Sequence, residues 1–438
     1  MTKVSITTLG CRVNTYESDA MAGLLRSRGF EVVPEGQPAD ICIVNTCTVT
    51  NIADRKSRQM ISKCRRLNPL CRIIVTGCWS QRFPEDALRL DGVAAVLGSS
   101  EKNRISEVCS EILEGESVPC LVRDVMHEHK FEEISAVAEG RTRAYLKIQD
   151  GCNRFCAYCA IPFARGGVRS RSLESIKRET KKLNDAGFLE VVLTGIHMTD
   201  YGKDLVNADL ADAIDCFEDL NGVKRIRLGS LEPHGLTDEM ISRITSNPRV
   251  CRQFHLSLQS GSTSVLGRMR RGYTAEEYAK IVEKIRCCYG KDRDTVAITT
   301  DIIAGFPGET IEEHRETLEF MRSIGYARVH VFPYSRRSGT LADKMPGQLT
   351  NAEKSERAQE LISLGKELEK SFLQRFIGRT ESVLIESKRS DGYSFGFTDS
   401  YVRVLADRYD PNTLVDVKIK NITEDKNGEL SLLSDSCG

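Results

Sequence analysis

The feature that most constrains the fold is a sixfold alternation of short apolar runs with helical segments between residues 144 and 370. Each run has the length of a β-strand, and the segments between them, such as 309–325, have the period of an amphipathic helix. This pattern is typical of a parallel sheet with helical crossovers. Six units predict a partial barrel of the TIM type, with its site at the carboxyl ends of the strands. The predicted strands are 144–149, 190–195, 224–229, 254–259, 296–306 and 328–335.

The regions on either side of this barrel differ from it, so we expect an α/β multidomain protein. Residues 1–115 contain shorter βα repeats, which indicate a second parallel sheet. Residues 116–143 are polar and include Pro119 and Gly140, which is typical of a linker. Residues 376–438 alternate apolar and polar positions between turns and predict a small antiparallel β-barrel of OB-like type. The predicted N-terminal strands are 4–9, 41–46, 72–77 and 93–98.

Composition narrows the class of protein. The chain is 40% hydrophobic and 28% charged, as globular proteins are. No apolar run approaches the ~20 residues of a membrane span, and we see no signal peptide, so we expect a cytoplasmic protein without a membrane partner. In that compartment the sixteen cysteines are expected as thiols and metal ligands rather than disulfides. The net charge of zero gives no overall field that attracts nucleic acid, so RNA binding has to rest on local patches.

Three cysteines, Cys152, Cys156 and Cys159, follow the first barrel strand with the spacing C-x3-C-x2-C. Clustered thiolates select zinc or iron–sulfur centres, and structural zinc favours four ligands. Three ligands on an iron–sulfur cube leave one iron open, and that iron can chelate S-adenosylmethionine (SAM) for reductive cleavage to a 5′-deoxyadenosyl radical. The motif therefore predicts a radical-forming [4Fe–4S] cluster. The alternative is a zinc knuckle or a group of buried thiols.

A second triad is distributed over the N-terminal domain. Cys11, Cys47 and Cys78 each end a predicted strand, and the carboxyl ends of parallel strands gather at one edge of a sheet. A small residue precedes each cysteine, which allows the backbone to approach a bulky cluster: Gly10, Thr46 and Gly77. We expect a second [4Fe–4S] cluster with an open iron here. The alternative is three ordinary buried cysteines.

Five segments together resemble the radical SAM methylthiotransferases, which have two clusters and a C-terminal RNA-binding barrel called TRAM. The resemblance covers essentially the whole chain. Within this family, the sequence is most similar to the branch that acts on N6-threonylcarbamoyladenosine, the tRNA base 3′ of the anticodon. The branch that acts on isopentenyladenosine typically has Gln-Met where Arg12 and Val13 stand, and the branch that acts on a ribosomal protein aspartate differs around residues 48–51. The segments are 9-LGCRVNTYES-18, 44-VNTCTVTNIADRKSRQ-59, 76-TGC-78, 147-KIQDGCNRFCAYCAIPFARGGVRSR-171 and 298-ITTDIIAGFPGET-310.

The resemblance implies a tRNA-modifying enzyme that methylthiolates C2 of the base. The radical from the Cys152 triad would abstract hydrogen from C2, and the open iron of the Cys11 triad would hold a sulfur methylated by another SAM. The implied partners are a tRNA anticodon stem-loop and an electron donor protein of the flavodoxin or ferredoxin kind. We expect a monomer or weak dimer.

Five strand-end residues of the barrel are expected to hold SAM, because glycine lets the backbone approach adenine, and hydroxyls or a carboxylate bind ribose or the amino group. The alternative for each is a turn or packing role. His197 and His255 receive no catalytic role, and the remaining cysteines are expected to be ordinary thiols. The five are Gly195, Ser230, Glu232, Ser257 and Gly305.

Local patches are expected to bind RNA. The segments 55–66, with six basic residues and no acid, and 268–271 suit phosphates, as do Arg165, Arg169 and Arg171. For each patch, the alternative is a solvated surface. The aromatic rings expected to stack on bases are those of Tyr393, Phe395, Phe397 and Tyr401. The arginines expected to bind the threonyl carboxylate are Arg165, Arg169, Arg336 or Arg337.

Three functional alternatives stay open at this point. The base could be isopentenyladenosine. The second cluster could serve electron transfer alone, although such clusters use four ligands and only three are found. The protein could also bind RNA without catalysis, in which case anaerobic reduction with SAM would release no 5′-deoxyadenosine.

Overall fold

The N-terminal domain is a parallel sheet flanked by helices, as predicted. The computed structural model describes residues 1–116, 120–136, 141–390 and 392–435. The strands are β1 (Lys3–Thr8), β2 (Glu31–Val33), β3 (Ile41–Thr46), β4 (Arg72–Gly77), β5 (Val93–Leu97) and β6 (Cys120–Leu121). The helices are α1 (Arg12–Ser27), α2 (Asn51–Leu67), α3 (Cys78–Arg82), α4 (Pro84–Leu88) and α5 (Ile105–Leu113). The strand order is β2-β1-β3-β4-β5-β6, so β1, β3 and β4 are neighbours.

One strand of this sheet, β6, falls within the segment expected as a linker and pairs with β5. Pro119 and Gly140, on which that expectation rested, lie outside the described residues, as does Cys437.

The central domain is the predicted partial barrel. Its strands are β7 (Arg143–Lys147), β10 (Glu190–Thr194), β11 (Arg225–Leu228), β12 (Ser230–Leu231), β13 (Gln253–Leu256), β14 (Ala297–Ala304) and β15 (Arg328–Pro333), with a small hairpin of β8 (Gln149–Asp150) and β9 (Arg169–Ser170). The barrel strands are parallel. The predicted strand 224–229 corresponds to β11, and a further short strand, β12, follows Gly229. Its helices are α6 (Ile161–Arg165), α7 (Leu173–Asp185), α8 (Leu210–Asp215), α9 (Asp238–Ser246), α10 (Thr263–Met269), α11 (Ala275–Cys288) and α12 (Ile311–Ile324).

A long helix, α13 (Asn351–Gln374), leads into the C-terminal barrel. The barrel is closed in the order β16-β17-β18-β20-β19, and its strands are β16 (Thr380–Lys388), β17 (Ser394–Thr398), β18 (Arg403–Ala406), β19 (Leu414–Glu424) and β20 (Leu430–Ser434). Of its five pairings, only that of β18 with β20 is parallel, because the chain crosses over before β20. The small barrel is thus confirmed, and its antiparallel character holds for the other pairs.

Buried polar contacts fix the small barrel against the central one. The Arg252 guanidinium donates to Asp399 at 2.7 Å and to Glu381 at 3.0 Å, and the Ser400 hydroxyl donates to the Thr295 carbonyl at 2.7 Å. These contacts place β16 and the loop between β17 and β18 against residues that precede β13 and β14. Across the described residues, no helix has both the length and the apolar character needed to span a membrane.

Candidate active site

Three neighbouring strands bring Cys11, Cys47 and Cys78 to one edge of the N-terminal sheet. Cys11 precedes α1, Cys47 follows β3, and Cys78 is the first residue of α3. Cys47 and Cys78 are buried, whereas Cys11 is exposed. Burial raises the pKa of Cys47 to about 12, and the nearby Cys78 and Cys11 add to this rise. The three thiols are therefore close enough to influence one another.

Each thiol of this accessory triad faces an N–H donor. Arg165 donates from Nε to the Cys78 sulfur at 3.2 Å. Burial raises the pKa of the Cys47 thiol, and a backbone N–H group of Val49 partly offsets this rise. Although Cys11 is exposed as a residue, its sulfur is enclosed by protein, and the resulting rise in its pKa is partly offset by a backbone N–H group of Asn14. Such donors stabilise thiolates and tune the potential of a bound cluster.

The radical triad has the same arrangement of donors, in the loop between β8 and α6. Cys152 accepts from the backbone N–H of Arg154 at 3.3 Å, and Cys159 accepts from that of Ile161 at 3.4 Å. Cys156 accepts from Nη1 of Arg271 at 3.4 Å. Two backbone groups and one arginine thus serve each triad. Three thiols with matched N–H donors suit an iron–sulfur cluster, so the residues present fit the expected cofactors.

Burial raises the pKa of Cys152 and Cys159 to about 12, so both are neutral thiols without a metal. Assembly of a cluster on them has to displace a proton from each thiol.

Arg165 also belongs to a buried ion network between the N-terminal domain and the barrel. Its guanidinium pairs with Glu17 and lies 3.2 Å from Asp150. Lys147 bridges the same carboxylates at 2.7 Å and 2.6 Å, and Lys102 lies 3.2 Å from Glu17. All of these side chains are at most 3% exposed. Burial alone would raise the pKa of Glu17, but the surrounding Arg165, Lys102 and Lys147 lower it to about 2.

Arg271 is the residue around the radical triad that the sequence interpretation missed. Besides Cys156, it contacts Glu232, the Tyr158 hydroxyl at 3.2 Å and the Ser257 carbonyl at 2.7 Å. It had been assigned to an RNA patch at 268–271. The structure corrects that assignment, since Arg271 is 6% exposed and Arg268 pairs with Glu313 at 2.6 Å. A basic run alone does not reveal which of its arginines faces inward.

The residues expected to hold SAM fall into three environments. Gly195 and Ser230 line the main cavity of the protein. Glu232 and Ser257 surround Arg271. Gly305 lies apart, packed so closely on α13 that an added Cβ would come within 2.6 Å of Lys354. The side chain of Gln149 fixes the loop of Gly195. Its amide oxygen, Oε1, accepts from the backbone N–H groups of Ile196 at 2.9 Å and His197 at 2.7 Å.

The main cavity has a volume of about 750 Å³ and is lined by all three domains. This volume lies within the range of small-molecule sites, which is about 300–1,000 Å³. Cys11 of the accessory triad lines it, and so does Ile161, whose backbone N–H donates to Cys159 of the radical triad. The other wall residues include Arg12, Gly195, Ser230, His255, His330, Tyr401 and Arg403. A nucleobase in this cavity would lie against Cys11 and against Ile161, which follows the radical triad in the chain.

The four arginines expected to bind the substrate carboxylate are all paired with acids of the protein. Arg165 and Arg169 are buried beside Asp150. Arg337 is buried and pairs with Asp54 at 2.9 Å, while the exposed Arg336 pairs with Asp343 at 2.6 Å. Arg171, expected to bind RNA, is also buried and pairs with Glu133 at 3.3 Å. The structure therefore does not support these assignments, because a prior acidic partner competes with the substrate.

Some of the residues expected to bind RNA are exposed. On α2 the exposed basic residues Arg55, Lys56, Arg58, Lys63 and Arg66 border a shallow groove. Among the aromatic residues of the small barrel, Tyr393 is 37% exposed.

Two other aromatic rings of the small barrel pack against an arginine of the central barrel. Phe397 and Tyr401 stack at 4.6 Å, with Arg143 lying over both rings. These two rings thus help to join the domains, and Tyr401 also lines the main cavity.

Comparison with known proteins agrees with this architecture. The model of the Uncharacterized protein family UPF0004 matches residues 3–98, and that of the Radical SAM superfamily matches residues 146–321. A protein of Bacillus subtilis (strain 168) named threonylcarbamoyladenosine tRNA methylthiotransferase MtaB is 38% identical over 92% of this chain and 90% of its own. The chain belongs to the radical SAM tRNA methylthiotransferases. The predicted family, enzyme class and cofactors, namely SAM and two [4Fe–4S] clusters, are thereby confirmed.

Other relatives differ in the base that their names give. A tRNA-2-methylthio-N(6)-dimethylallyladenosine synthase of Pelotomaculum thermopropionicum is 33% identical over 90% of this chain and 89% of its own. A solved radical SAM methyltransferase, TsrM of Kitasatospora setae, matches with a TM-score of 0.55 and 16% identity, over 76% of this chain and 73% of its own. The latter likeness concerns the fold alone.

Proposed function

We propose that this methylthiotransferase modifies N6-threonylcarbamoyladenosine 3′ of the tRNA anticodon and replaces the hydrogen on C2 with a methylthio group. The name of the Bacillus subtilis relative supports this base. The cavity supports it chemically, since its walls include Arg12, Arg328 and Arg403. Arginine suits a carboxylate, and an apolar prenyl group would leave Arg12 without a counter-charge, whereas Arg403 already pairs with Glu429.

The observation behind the proposed reaction is that Cys11 of one triad lines the cavity, together with Ile161, whose backbone N–H donates to Cys159 of the other triad. We assign Cys152, Cys156 and Cys159 to the radical-forming cluster and Cys11, Cys47 and Cys78 to the cluster that holds the methylthio group. When bound, these clusters and SAM supply hydrogen abstraction and sulfur transfer. The protein orients the base between them, excludes water from the cavity, and donates N–H groups to each set of sulfurs.

Replacement of each triad by alanine tests this division of roles. Without Cys152, Cys156 and Cys159, anaerobically reconstituted protein should hold about half of roughly eight irons and release no 5′-deoxyadenosine. Without Cys11, Cys47 and Cys78, the iron should also fall by about half, but 5′-deoxyadenosine should still form while methylthiolation stops. Iron analysis and chromatography of the nucleosides give both readouts.

The chain supplies a matched control in Cys42, Cys64 and Cys71, three other buried cysteines of the N-terminal domain. Their replacement by alanine should leave both clusters loaded. Stoichiometric zinc in place of iron, or loss of 5′-deoxyadenosine in the Cys11 triad variant with its radical cluster still loaded, would contradict the assignment.

The choice of base is tested separately by competition. Anticodon stem-loops that carry N6-threonylcarbamoyladenosine or isopentenyladenosine are mixed, and mass spectrometry measures the methylthio product of each. We expect the threonylcarbamoyl base to be preferred. Equal modification of both, or preference for the prenylated base, would reject this substrate and leave the reaction class intact.

Binding of the stem-loop is proposed to involve the basic face of α2 and the small barrel, which we interpret as a TRAM domain. An electron donor protein of the flavodoxin or ferredoxin kind would supply the reducing electron.

A further inference from the structure

Arg12 is a cation of the cavity wall that has no partner within the protein. It follows Cys11 directly, begins α1 and is partly buried. Among the described residues, its guanidinium makes no hydrogen bond and no ion pair. Its charge acts within the cavity, as the pKa of the cavity residue His330 shows. Burial is the main cause that lowers this pKa, and the charge of Arg12 adds to the lowering after Arg328 and His255. A partly desolvated guanidinium without a partner indicates a site for an anion.

The other arginines of the cavity are placed differently. Arg403 is paired with Glu429. Arg328 is exposed, and its charge acts on Glu369, which also lines the cavity. Arg12 therefore combines three properties. It lines the cavity, it forms no ion pair among the described residues, and it is next in the chain to Cys11, a proposed cluster ligand.

The chemistry of the base determines which group would reach Arg12. In adenine, C2 and the carbon that holds N6 flank the ring nitrogen N1, so both lie on one edge of the ring. A base whose C2 faces the Cys11 triad has its N6 substituent beside that triad as well. In the threonylcarbamoyl group this substituent ends in a carboxylate, which a guanidinium can bind through two parallel hydrogen bonds.

We propose that Arg12 binds the threonyl carboxylate and is the residue that selects the threonylcarbamoyl base. This inference rests on the proposed function. Arg12 acts here as a specificity residue and takes no part in hydrogen abstraction or sulfur transfer.

The test compares an anticodon stem-loop that carries N6-threonylcarbamoyladenosine with the same stem-loop as its neutral methyl ester. Dissociation constants are measured by fluorescence anisotropy for the reconstituted wild type and for Arg12→Gln, Arg12→Lys and Arg328→Gln. Methylthio products are measured in parallel by mass spectrometry. The ester keeps the shape of the substituent and removes its charge, so the difference between the two ligands reports the carboxylate contact.

The wild type should bind the acid roughly tenfold to a hundredfold more tightly than the ester, since the ester leaves a partly buried cation unpaired. Arg12→Gln should lose this preference by weakening binding of the acid alone. Arg12→Lys should keep part of it, because lysine retains the charge without the two-pronged geometry. Arg328→Gln should keep the wild-type preference.

An unchanged preference in Arg12→Gln, or a preference that disappears in Arg328→Gln instead, would overturn the assignment of Arg12 while the wild type still modifies the threonylcarbamoyl base. If the wild type modifies only the isopentenyl base, the proposed function fails, and this inference fails with it.

Discussion

At the scale of single residues, glycine determines how closely the accessory cysteines can gather. Gly10 has a φ of +103°, and a Cβ added there would come within 2.8 Å of the Cys47 Cβ and 2.9 Å of its sulfur. Gly77 has a φ of +100°, and its added Cβ would meet the Thr46 carbonyl at 2.4 Å. The sequence interpretation expected small residues here to make room for a cluster. The structure shows that Gly77 instead permits the close approach of β3 and β4.

Gly10→Ala should therefore impair the accessory cluster selectively. The new methyl group would displace the Cys47 sulfur, so iron per chain after reconstitution should fall from about eight to about four, while SAM cleavage persists. Gly29→Ala is the matched control, because Gly29 also has a positive φ, +84°, but nothing lies within 4 Å of its added Cβ. Both variants carry backbone strain of about 1–3 kcal/mol, yet only Gly10→Ala should lose iron. Full iron loading of Gly10→Ala would show that Cys47 adapts or is not a ligand.

At the scale of secondary structure, periodicity predicted the sheet and barrel closely. The predicted strands 41–46 and 72–77 coincide with β3 and β4, because fully buried strands present unbroken apolar runs. Helix α1 begins at Arg12, directly after Cys11. Its first turn holds residues that contact the cavity and the ion network, and these do not follow the apolar period.

The cysteine positions were predictable because a strand end is visible in sequence. The partners of those cysteines were not, because a local pattern does not show which distant side chains converge. Arg165 reaches Glu17 and Cys78 across a domain boundary, and Arg271 reaches Cys156. Both were interpreted as RNA-binding charges. Tertiary burial of a charge leaves no signal in a single sequence.

Helix α2 offers a prediction at this scale. Its residues Arg55, Arg58 and Arg66 are exposed along one groove. Their replacement by glutamine should weaken binding of an anticodon stem-loop and flatten its dependence on salt. The slope of log K against log salt concentration should fall by about 2 if all three contact phosphates. Titrations by fluorescence anisotropy at several salt concentrations measure this slope.

The control for α2 is a helix that does not line this groove. On α7, the exposed residues Lys177, Arg178 and Lys181 provide three cations of the same kind. Their replacement by glutamine changes the net charge equally, so it should leave the slope unchanged. Equal effects of the two triple variants would mean that general charge, rather than the face of α2, attracts the RNA.

At the scale of the whole molecule, one cavity depends on three domains being held together. The small barrel is fixed by Arg252, whereas the N-terminal domain is fixed by the buried network around Glu17. This network also holds Arg165 against Cys78, so it links the position of the accessory triad to that of the barrel. Replacing one member of such a network leaves buried charges without partners, which costs about 3–5 kcal/mol.

Glu17 gives this junction a pH dependence of defined sign. Its pKa lies at about 2 in the folded protein, against an ordinary value of 4.5. A lowered carboxylate pKa contributes stability that is fully present above the unfolded value and is lost as the pH falls from there toward the folded value. The stabilising effect of Glu17 should therefore be complete at pH 7 and should diminish between about pH 4.5 and pH 2.

Urea unfolding of the metal-free protein, followed through the fluorescence of Trp79, measures this effect in the relevant domain. Trp79 is the single tryptophan of the chain, is 2% exposed and adjoins Cys78. At pH 7, Glu17→Gln should lower the free energy of unfolding by about 3–5 kcal/mol. Glu85→Gln should lower it by less than about 1 kcal/mol, because Glu85 is 84% exposed in its pair with Arg89. The difference between the wild type and Glu17→Gln should shrink as the pH falls below 4.5. A difference that stays constant down to pH 2 would show that Glu17 contributes through packing rather than through its charge.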